Sequence, residues 1–182
     1  MRIISIYKHY WPDTTPYARL LRSMLEDFHK QGHSAEVFTG QPSYNDLDSQ
    51  RYPSFETVNG VYVRRIGLPR AKKTNFITRL LSDGCFLIRA LVYVLRKHHQ
   101  YDVIIANVHP PILMGATLRL INFLTGVPFI LHCQDIYPEA LSVIGSLNKN
   151  SYRFKFLARL DARSCKCAYR VVVLTQDMQK TL

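Results

Sequence analysis

The amino-terminal part of the sequence lacks glycine: the first one in the chain is Gly32. Dinucleotide-binding enzymes need a Gly-x-Gly-x-x-Gly turn directly after the first strand, because there the backbone must approach the pyrophosphate closely. Here the first β-branched run ends at Tyr7 and leads into the polar segment 8–16. The absence argues strongly against a nucleotide-dependent oxidoreductase or epimerase.

Long apolar runs are also absent. The longest run, residues 84–95, is interrupted by Arg89 and falls short of the ~18–20 residues that a transmembrane helix needs. The chain opens directly into a strand, which predicts that no signal peptide is present. Cysteine is scarce, and its positions within helices or at a strand end predict reduced thiols in a cytoplasmic protein. The four cysteines are Cys85, Cys133, Cys165 and Cys167.

Acidic residues are few: 13 Asp and Glu stand against 24 Lys and Arg, which gives a net charge of +11. Such an excess of positive charge indicates a negatively charged binding partner. The partner could be a nucleic acid, an anionic membrane surface or an acidic substrate such as a nucleotide sugar or lipid pyrophosphate. The basic residues are spread along the chain, with no zinc-finger spacing, recognition-helix signature or RNP aromatic motif. We therefore expect no nucleic-acid partner.

The order of apolar patterns alternates between strands and helices. Continuous β-branched runs predict buried strands, and apolar residues at helical spacing predict helices between them. This order is typical of an α/β fold with a mostly parallel sheet and helices on both faces. The predicted strands are 3–7, 35–39, 55–58, 61–66, 102–108, 127–133 and 170–174; the predicted helices are 17–31, 74–98, 112–125 and 151–168.

Polar side chains follow several of the predicted strands. In parallel sheets the ligand binds beyond the carboxyl ends of the strands, and right-handed crossovers place those ends on one rim. We expect the loops after Tyr7, Thr39, Val108, Cys133 and Thr175 to share it. The candidate residues are His109, Gln134, Asp135, Tyr137 and Glu139.

Two of these candidates are carboxylates four residues apart, Asp135 and Glu139. They could act as acid and base or bind substrate hydroxyls; Glu139 could equally serve helix capping and the helix dipole behind Pro138. Tyr137 could stack on a ligand or close the core. His109 could hydrogen-bond a ligand hydroxyl or stabilise charge, or it could be an ordinary loop histidine.

The segment before the first helix offers a second candidate. Asp13, Thr14, Thr15 and Pro16 lie where free backbone N–H groups and the helix dipole favour an anion such as phosphate. The alternative is that Thr14 or Thr15 simply caps the helix.

Metal-binding patterns are lacking. Adjacent His98 and His99 point about 100° apart on a helix, so they do not readily share one ion. Cys165-x-Cys167 has no second pair at zinc spacing. No Asp-x-Asp run is present to hold a divalent cation with a nucleotide, so we expect no metal cofactor.

The region 64–95 combines basic residues with a broad apolar helix. Its basic members are Arg64, Arg65, Arg70, Lys72, Lys73 and Arg79. This combination is what an interfacial helix on an anionic leaflet requires, although a wide apolar face also fits a helix packed on the sheet. Peripheral association with the inner membrane face is one of the two expectations.

Several motifs in fixed order resemble glycosyltransferase family 4, a family with the GT-B architecture. They are Tyr10-Trp11-Pro12, Gly32-His33 with Val37 and Thr39-Gly40, the Asn59-Gly60 hairpin, Asp102-Val103-Ile104 leading to His109-Pro110, and His132 with Asp135-Ile136-Tyr137-Pro138-Glu139. The resemblance covers essentially the whole chain. One departure is that Asp13-Thr14-Thr15-Pro16 stands where the family usually has a Gly-Gly loop, so hydroxyls would replace close backbone approach.

The resemblance implies that residues 1–182 form one Rossmann-like, doubly wound domain, the acceptor-side half of a GT-B enzyme. It implies a retaining enzyme that transfers a hexose from a nucleotide sugar, presumed UDP-linked, to a polysaccharide or lipid-linked glycan. His109 and Asp135 would be catalytic. Asp13, Thr14, Thr15, Pro16, Tyr137 and Glu139 would bind substrate. The donor-binding carboxyl-terminal domain would lie outside this chain, leaving the isolated domain weakly active or inactive. The alternative is a non-catalytic module that binds nucleotide sugars or glycans.

Overall fold

A computed structural model describes residues 1–43, 51–69, 75–137, 148 and 150–181. The strands are β1 (Arg2–Ile6), β2 (Ser34–Gly40), β3 (Phe55–Val58), β4 (Val61–Ile66), β5 (Val103–Asn107), β6 (Phe129–Cys133) and β7 (Arg170–Val173). The helices are α1 (Pro16–Lys30), α2 (Phe76–Lys97), α3 (Leu113–Thr125), α4 (Tyr152–Cys167) and α5 (Gln176–Thr181), with a short 3₁₀ turn at His98–Gln100.

The strands form a seven-stranded sheet in the order β3-β4-β2-β1-β5-β6-β7. β2 pairs in parallel with β1 and β4, and β6 pairs in parallel with β7. The hairpin strand β3 runs antiparallel to β4. The predicted α/β class with a mostly parallel sheet and a hairpin is confirmed.

The hairpin turn shows how the sequence determines one of these pairings. Asn59 and Gly60 both have positive φ, +50° and +82°, as a type I′ turn requires. Val58 consequently faces Val61 across the ladder, and Phe55 faces Arg64. The backbone of this turn matches the right-handed twist of the two strands. Asn59 and Gly60 therefore determine the register of β3 against β4.

The chain divides into two compact units, Met1–Ile104 and Ile105–Leu182. In the first unit, α1 buries Tyr17, Ala18, Leu21 and Leu25. These residues form one core cluster with β2 and β4, including Val37 and Val63. Gly32 takes φ +83° just after the C-cap residue Gln31, the left-handed conformation with which glycine commonly ends a helix.

In the second unit, the buried strand residues belong to β6 and to the part of β5 that follows Ile104. α3 buries Met114, Leu118 and Ile121. Gly115 of α3 lies against α4, and a Cβ at Gly115 would come 2.9 Å from Ser164 Cβ. The two helices therefore pack closely at these two small residues.

Two expectations about burial are wrong. β7 was expected to be a buried strand, yet its residues alternate between exposed and half-buried because it lies at the edge of the sheet. Arg65 was expected to add to an exposed basic region, yet it is only 1% exposed. Its guanidinium pairs with Glu56 of the neighbouring hairpin strand and donates to the Trp11 carbonyl at 2.8 Å.

Within the described part of the chain, none of the helices has the length and apolar character needed to cross a membrane.

Candidate functional site

The loop after β1 holds a histidine against a buried carboxylate. His9 Nδ1 lies 3.1 Å from Asp13 Oδ2. Asp13 is 3% exposed, and its carboxylate also accepts the Ser43 backbone N–H, at 3.2 Å to Oδ1. A buried carboxylate that accepts from one imidazole nitrogen orients the ring and selects its tautomer. Asp13 therefore joins the loops after β1 and β2 and holds His9 in place.

Thr15 caps α1. Its hydroxyl oxygen accepts the Ala18 backbone N–H at 3.2 Å, and the Tyr7 hydroxyl lies 3.4 Å from it. Pro16 begins the helix and has no N–H to offer. The capping interpretation is confirmed for Thr15, while Thr14 beside it is exposed.

The carboxyl end of β1 is tied to its neighbours through Lys8. The Lys8 carbonyl accepts hydrogen bonds from the Thr39 hydroxyl at 3.1 Å and from the Gly40 N–H at 3.0 Å. Its ammonium group donates to Asp83 Oδ1 at 2.7 Å and to Ser82 Oγ at 3.0 Å. In the first unit, the predicted meeting of the loops after Tyr7 and Thr39 is thus confirmed.

In the second unit, His109 lies two residues beyond β5. Its backbone N–H donates to the Asn107 side-chain oxygen at 3.1 Å. Asn107 is buried, whereas His109 is half-buried. The Asn107 side chain thus fixes the turn that carries the histidine out of the strand.

Asp135 and Tyr137 follow β6 and lie near one another. Asp135 is exposed and Tyr137 is half-buried. Burial raises the pKa of the Tyr137 hydroxyl, and the charge of Asp135 raises it further. The phenol is therefore a neutral hydrogen-bond donor beside a carboxylate. Glu139, the partner expected for Asp135, lies outside the described residues.

Two side chains at the end of β6 are buried. Burial lowers the pKa of His132, so its imidazole is biased towards the neutral form. Cys133 contacts Cys165 of α4, and this hydrogen bond together with burial raises the pKa of the Cys133 thiol. Both groups lie immediately before the Asp135 loop.

His9 was not among the candidates predicted from the sequence. The available signal was a histidine four residues before an aspartate, in the loop that follows the first strand. That signal is weak without a structure, because a loop gives no fixed spacing between side chains. Capping by Thr14 or Thr15 was one of two interpretations of that segment, the other being phosphate binding, and Thr15 does cap α1.

Among the described residues, no group of three or more His, Cys, Asp and Glu side chains is arranged to hold a metal ion.

One face of α2 is apolar and exposed. Its exposed apolar residues include Phe76 at 74%, Ile77, Leu81 and Ile88. The opposite face is core, with Phe86, Ala90 and Val94 buried. The expectation of a core helix is therefore correct for one face, and the apolar residues named on the other face are exposed in the described part of the chain. Arg70, Lys72 and Lys73 of the preceding basic segment lie outside the described residues.

Comparison with known proteins identifies the family. A family model described as "Glycosyl transferase 4-like domain" matches residues 16–182. The chain belongs to this family. The match includes α1, the hairpin, β5 with the loop that carries His109, and the Asp135 loop.

Two curated relatives of this glycosyltransferase 4-like domain are bacterial. "Probable glycosyltransferase WbjE" of Pseudomonas aeruginosa is 28% identical over 111 residues, 61% of this chain and 28% of its own length. "Putative colanic acid biosynthesis glycosyl transferase WcaI" of Escherichia coli K12 is 25% identical over 155 residues, 82% of this chain and 38% of its own length. The chain thus spans about a third of the length of these relatives.

A solved structure supports the fold. A crystal structure of Anabaena Alr3699/HepE in complex with UDP-glucose matches with a TM-score of 0.54 and 14% identity. The match covers 99% of this chain and 39% of the other. The fold of this domain therefore corresponds to part of a larger protein, and the expected GT-B half-domain architecture is supported.

Proposed function

We propose that this domain is the acceptor-side part of a glycosyltransferase that moves a hexose from a nucleotide sugar to a polysaccharide or lipid-linked glycan. The family match over residues 16–182 carries the proposal. Both curated relatives are described as glycosyltransferases, and one description names colanic acid biosynthesis. The solved relative was crystallised with UDP-glucose, which favours a UDP-linked donor. The donor-binding domain would be supplied by a further part of the enzyme.

In the second unit, we assign binding of the transferred sugar to His109 and Asp135. The turn made by Asn107 presents His109 just beyond the end of β5, where ligands of α/β sheets bind. Its imidazole would hydrogen-bond a hydroxyl of the transferred sugar and stabilise charge as the donor bond breaks. Asp135 is exposed beyond β6 and would accept a sugar hydroxyl. Tyr137 would bind the sugar ring, and Glu139 would contribute a second carboxylate.

In the first unit, Asp13, Thr14, Thr15 and Pro16 would contribute to substrate binding in different ways. Asp13 would act through His9, since its own carboxylate is buried against that ring and Ser43. The exposed Thr14 would meet the substrate directly. Thr15 and Pro16 would hold the start of α1 in place, because they form its cap and first residue.

The chemistry proposed is retaining and independent of a metal. In such a mechanism the donor phosphate helps to activate the acceptor hydroxyl, and the protein supplies positioning and electrostatic stabilisation. The anomeric configuration of the product formed by the whole enzyme, measured by NMR, tests the retaining mechanism separately. A product with inverted configuration would exclude a retaining mechanism.

We further propose that the exposed apolar face of α2 contacts the inner membrane leaflet. Phe76, Ile77 and Leu81 form a continuous exposed patch over the first two turns. Exposed Arg79 supplies positive charge beside it. An apolar face flanked by cations is the composition of an interfacial helix, and the reaction with a lipid-linked acceptor would take place at such a surface.

Ligand-observed NMR with UDP-glucose, UDP-galactose and GDP-mannose tests donor binding by this chain. We expect saturable binding of a UDP-sugar that His109→Ala weakens about tenfold, since a charge-stabilising hydrogen bond contributes about 1.5 kcal/mol. His99→Ala, an exposed histidine on the 3₁₀ turn, is the matched control and should bind normally.

Thr15 needs two variants, because removing a cap also weakens the helix. Thr15→Ser keeps the capping hydroxyl, and Thr15→Ala removes it. Binding that is lost only in Thr15→Ala together with a lower melting temperature shows a structural role. If no nucleotide sugar binds, and transfer by the whole enzyme is unaffected by His109→Ala, the site assignment is wrong.

A further inference from the structure

The outer surface of α4 carries a continuous row of exposed side chains. Tyr152, Phe156, Arg159, Arg163 and Lys166 recur at spacings of four and three residues, so they lie in one row along the helix. All five are exposed, Tyr152 at 92% and Phe156 at 62%. We call this row the α4 stripe.

The opposite side of α4 packs inward. Ser164 is fully buried against Gly115, and Leu157 and Leu160 are half-buried. The α4 stripe is therefore the side of the helix that the described part of the second unit leaves uncovered.

Charge is distributed unevenly around α4. The helix has five basic residues and one acidic residue, Asp161. Asp161 lies on the inward side, 4.0 Å from the Cys165 thiol. The α4 stripe itself contains three cations and no carboxylate, and exposed Lys155 flanks it. Among the described residues of α4, the cations of the stripe thus have no carboxylate within the stripe itself, whereas a solvated helix usually pairs opposite charges at this spacing.

The aromatic residues occupy one end of the stripe and the cations the other. A basic helix that faces only water needs no exposed phenylalanine or tyrosine. Two such residues in the same row as three cations indicate a binding partner whose surface is both apolar and anionic. Lipid headgroups over an acyl layer have this combination: aromatic rings enter the interface and Lys or Arg side chains pair with phosphate.

We propose that the α4 stripe is a docking surface for an anionic lipid bilayer, separate from the α2 patch and located in the other compact unit. The three cations attract the charged headgroups, and Tyr152 and Phe156 enter the boundary between headgroups and acyl chains. This surface goes beyond the proposed function: it requires neither sugar transfer nor an intact donor site.

Co-sedimentation of the chain with phosphatidylglycerol–phosphatidylcholine vesicles, in low salt, tests the proposal. Each basic residue near an anionic leaflet contributes about 1 kcal/mol, roughly a fivefold change in partition. Arg159→Ser, Arg163→Ser and Lys166→Ser together should therefore lower partition about 100-fold. The matched control removes three exposed cations elsewhere, Arg19→Ser, Lys30→Ser and Arg51→Ser, and should lower it much less. An equal loss in the two triple variants would overturn the proposal, because it would show attraction by net charge alone.

Direct contact is measured with Phe156→Trp. Its fluorescence should shift to shorter wavelength with anionic vesicles and stay unchanged with phosphatidylcholine alone, against the background of the single native Trp11. Glycerol phosphate at millimolar concentration should not reverse the shift, because the bilayer rather than a free phosphate is the ligand. No shift with anionic vesicles, or an equal shift with a soluble polyanion such as heparin, would exclude the bilayer as the partner. Ile77→Ser with Leu81→Ser isolates the α2 patch, and the α4 shift should persist in that background.

Discussion

His9 Nδ1 and Asp13 Oδ2 lie 3.1 Å apart in the loop that follows the first strand. The carboxylate is buried and holds the Ser43 N–H as well. The pair therefore combines a structural task, joining two loops, with control over how one imidazole is presented.

We predict that Asp13→Asn changes the tautomer of His9. An ionised carboxylate accepts from Nδ1–H and so favours the tautomer with the proton on Nδ1; a neutral amide favours it less. Long-range ¹H–¹⁵N NMR of the imidazole should show a smaller Nδ1–H population in the variant. Asp27→Asn, an exposed carboxylate on α1, is the control. An unchanged tautomer in Asp13→Asn would show that the contact does not orient the ring.

The ion pair between Lys8 and Asp83 makes a prediction about stability. The two side chains are only 10% and 18% exposed, so Lys8→Met would leave a largely buried carboxylate without its cation. Such a change should cost about 3–5 kcal/mol in the free energy of unfolding, measured in urea. Lys8→Met with Asp83→Leu removes both charges and should be clearly more stable than Lys8→Met alone. Equal losses would mean that the pair is not coupled.

Gly115 should not tolerate a side chain. A Cβ there would come 2.9 Å from Ser164 Cβ, which overpacks the contact between α3 and α4 at a cost of about 1–3 kcal/mol. This exceeds the gain of up to about 1 kcal/mol that alanine brings to a helix. We expect Gly115→Ala to lower the melting temperature. Adding Ser164→Gly should make the Gly115→Ala substitution less destabilising than it is in the native background; no such relief would contradict the packing.

His132 should make stability depend on pH. Burial lowers its pKa from the ordinary 6.5, so below about pH 6.5 the unfolded chain binds a proton that the folded chain resists. Stability should therefore fall as pH decreases from about 6.5 and should be fully present above it. His132→Asn should reduce this slope in melting temperatures measured between pH 5 and 8, whereas His99→Asn should leave it unchanged. If the melting temperature of His132→Asn depends on pH as strongly as that of the native chain, the pH dependence comes from other groups.

Most of the fold could be predicted because its signals are local. Two residues, Asn59 and Gly60, determine the hairpin, and Gly32 ends α1. Continuous β-branched runs predicted β5 and β6. Because these strands are buried, most of their residues are apolar, and the sequence shows an uninterrupted apolar run. The same reasoning failed for β7: a Val-rich strand is equally apolar in the centre of a sheet and at its edge, and only the strand order distinguishes them.

The candidate site was harder to predict because burial of charged side chains depends on distant partners. From composition alone, Arg65 would be expected to be a surface charge. In the structure it is buried, because its guanidinium group bonds to Glu56 and to the Trp11 carbonyl. Lys8 similarly meets Asp83, 75 residues away. The role of His9 depends on the loop that brings Asp13 back to it. His109, Asp135 and Tyr137 were placed beyond strand ends by the sequence and are found there, and their roles stay predictions.

The four cysteines differ in exposure: Cys133 is buried, Cys85 and Cys165 are half-buried, and Cys167 is exposed. Alkylating reagents attack the thiolate. Cys133 is buried with a raised pKa, whereas Cys167 is exposed at the end of α4 and open to reagents. A maleimide dye should therefore label Cys167 first and Cys133 last. The native chain thus offers an attachment point for a fluorescent label beside the α4 stripe, with no cysteine added.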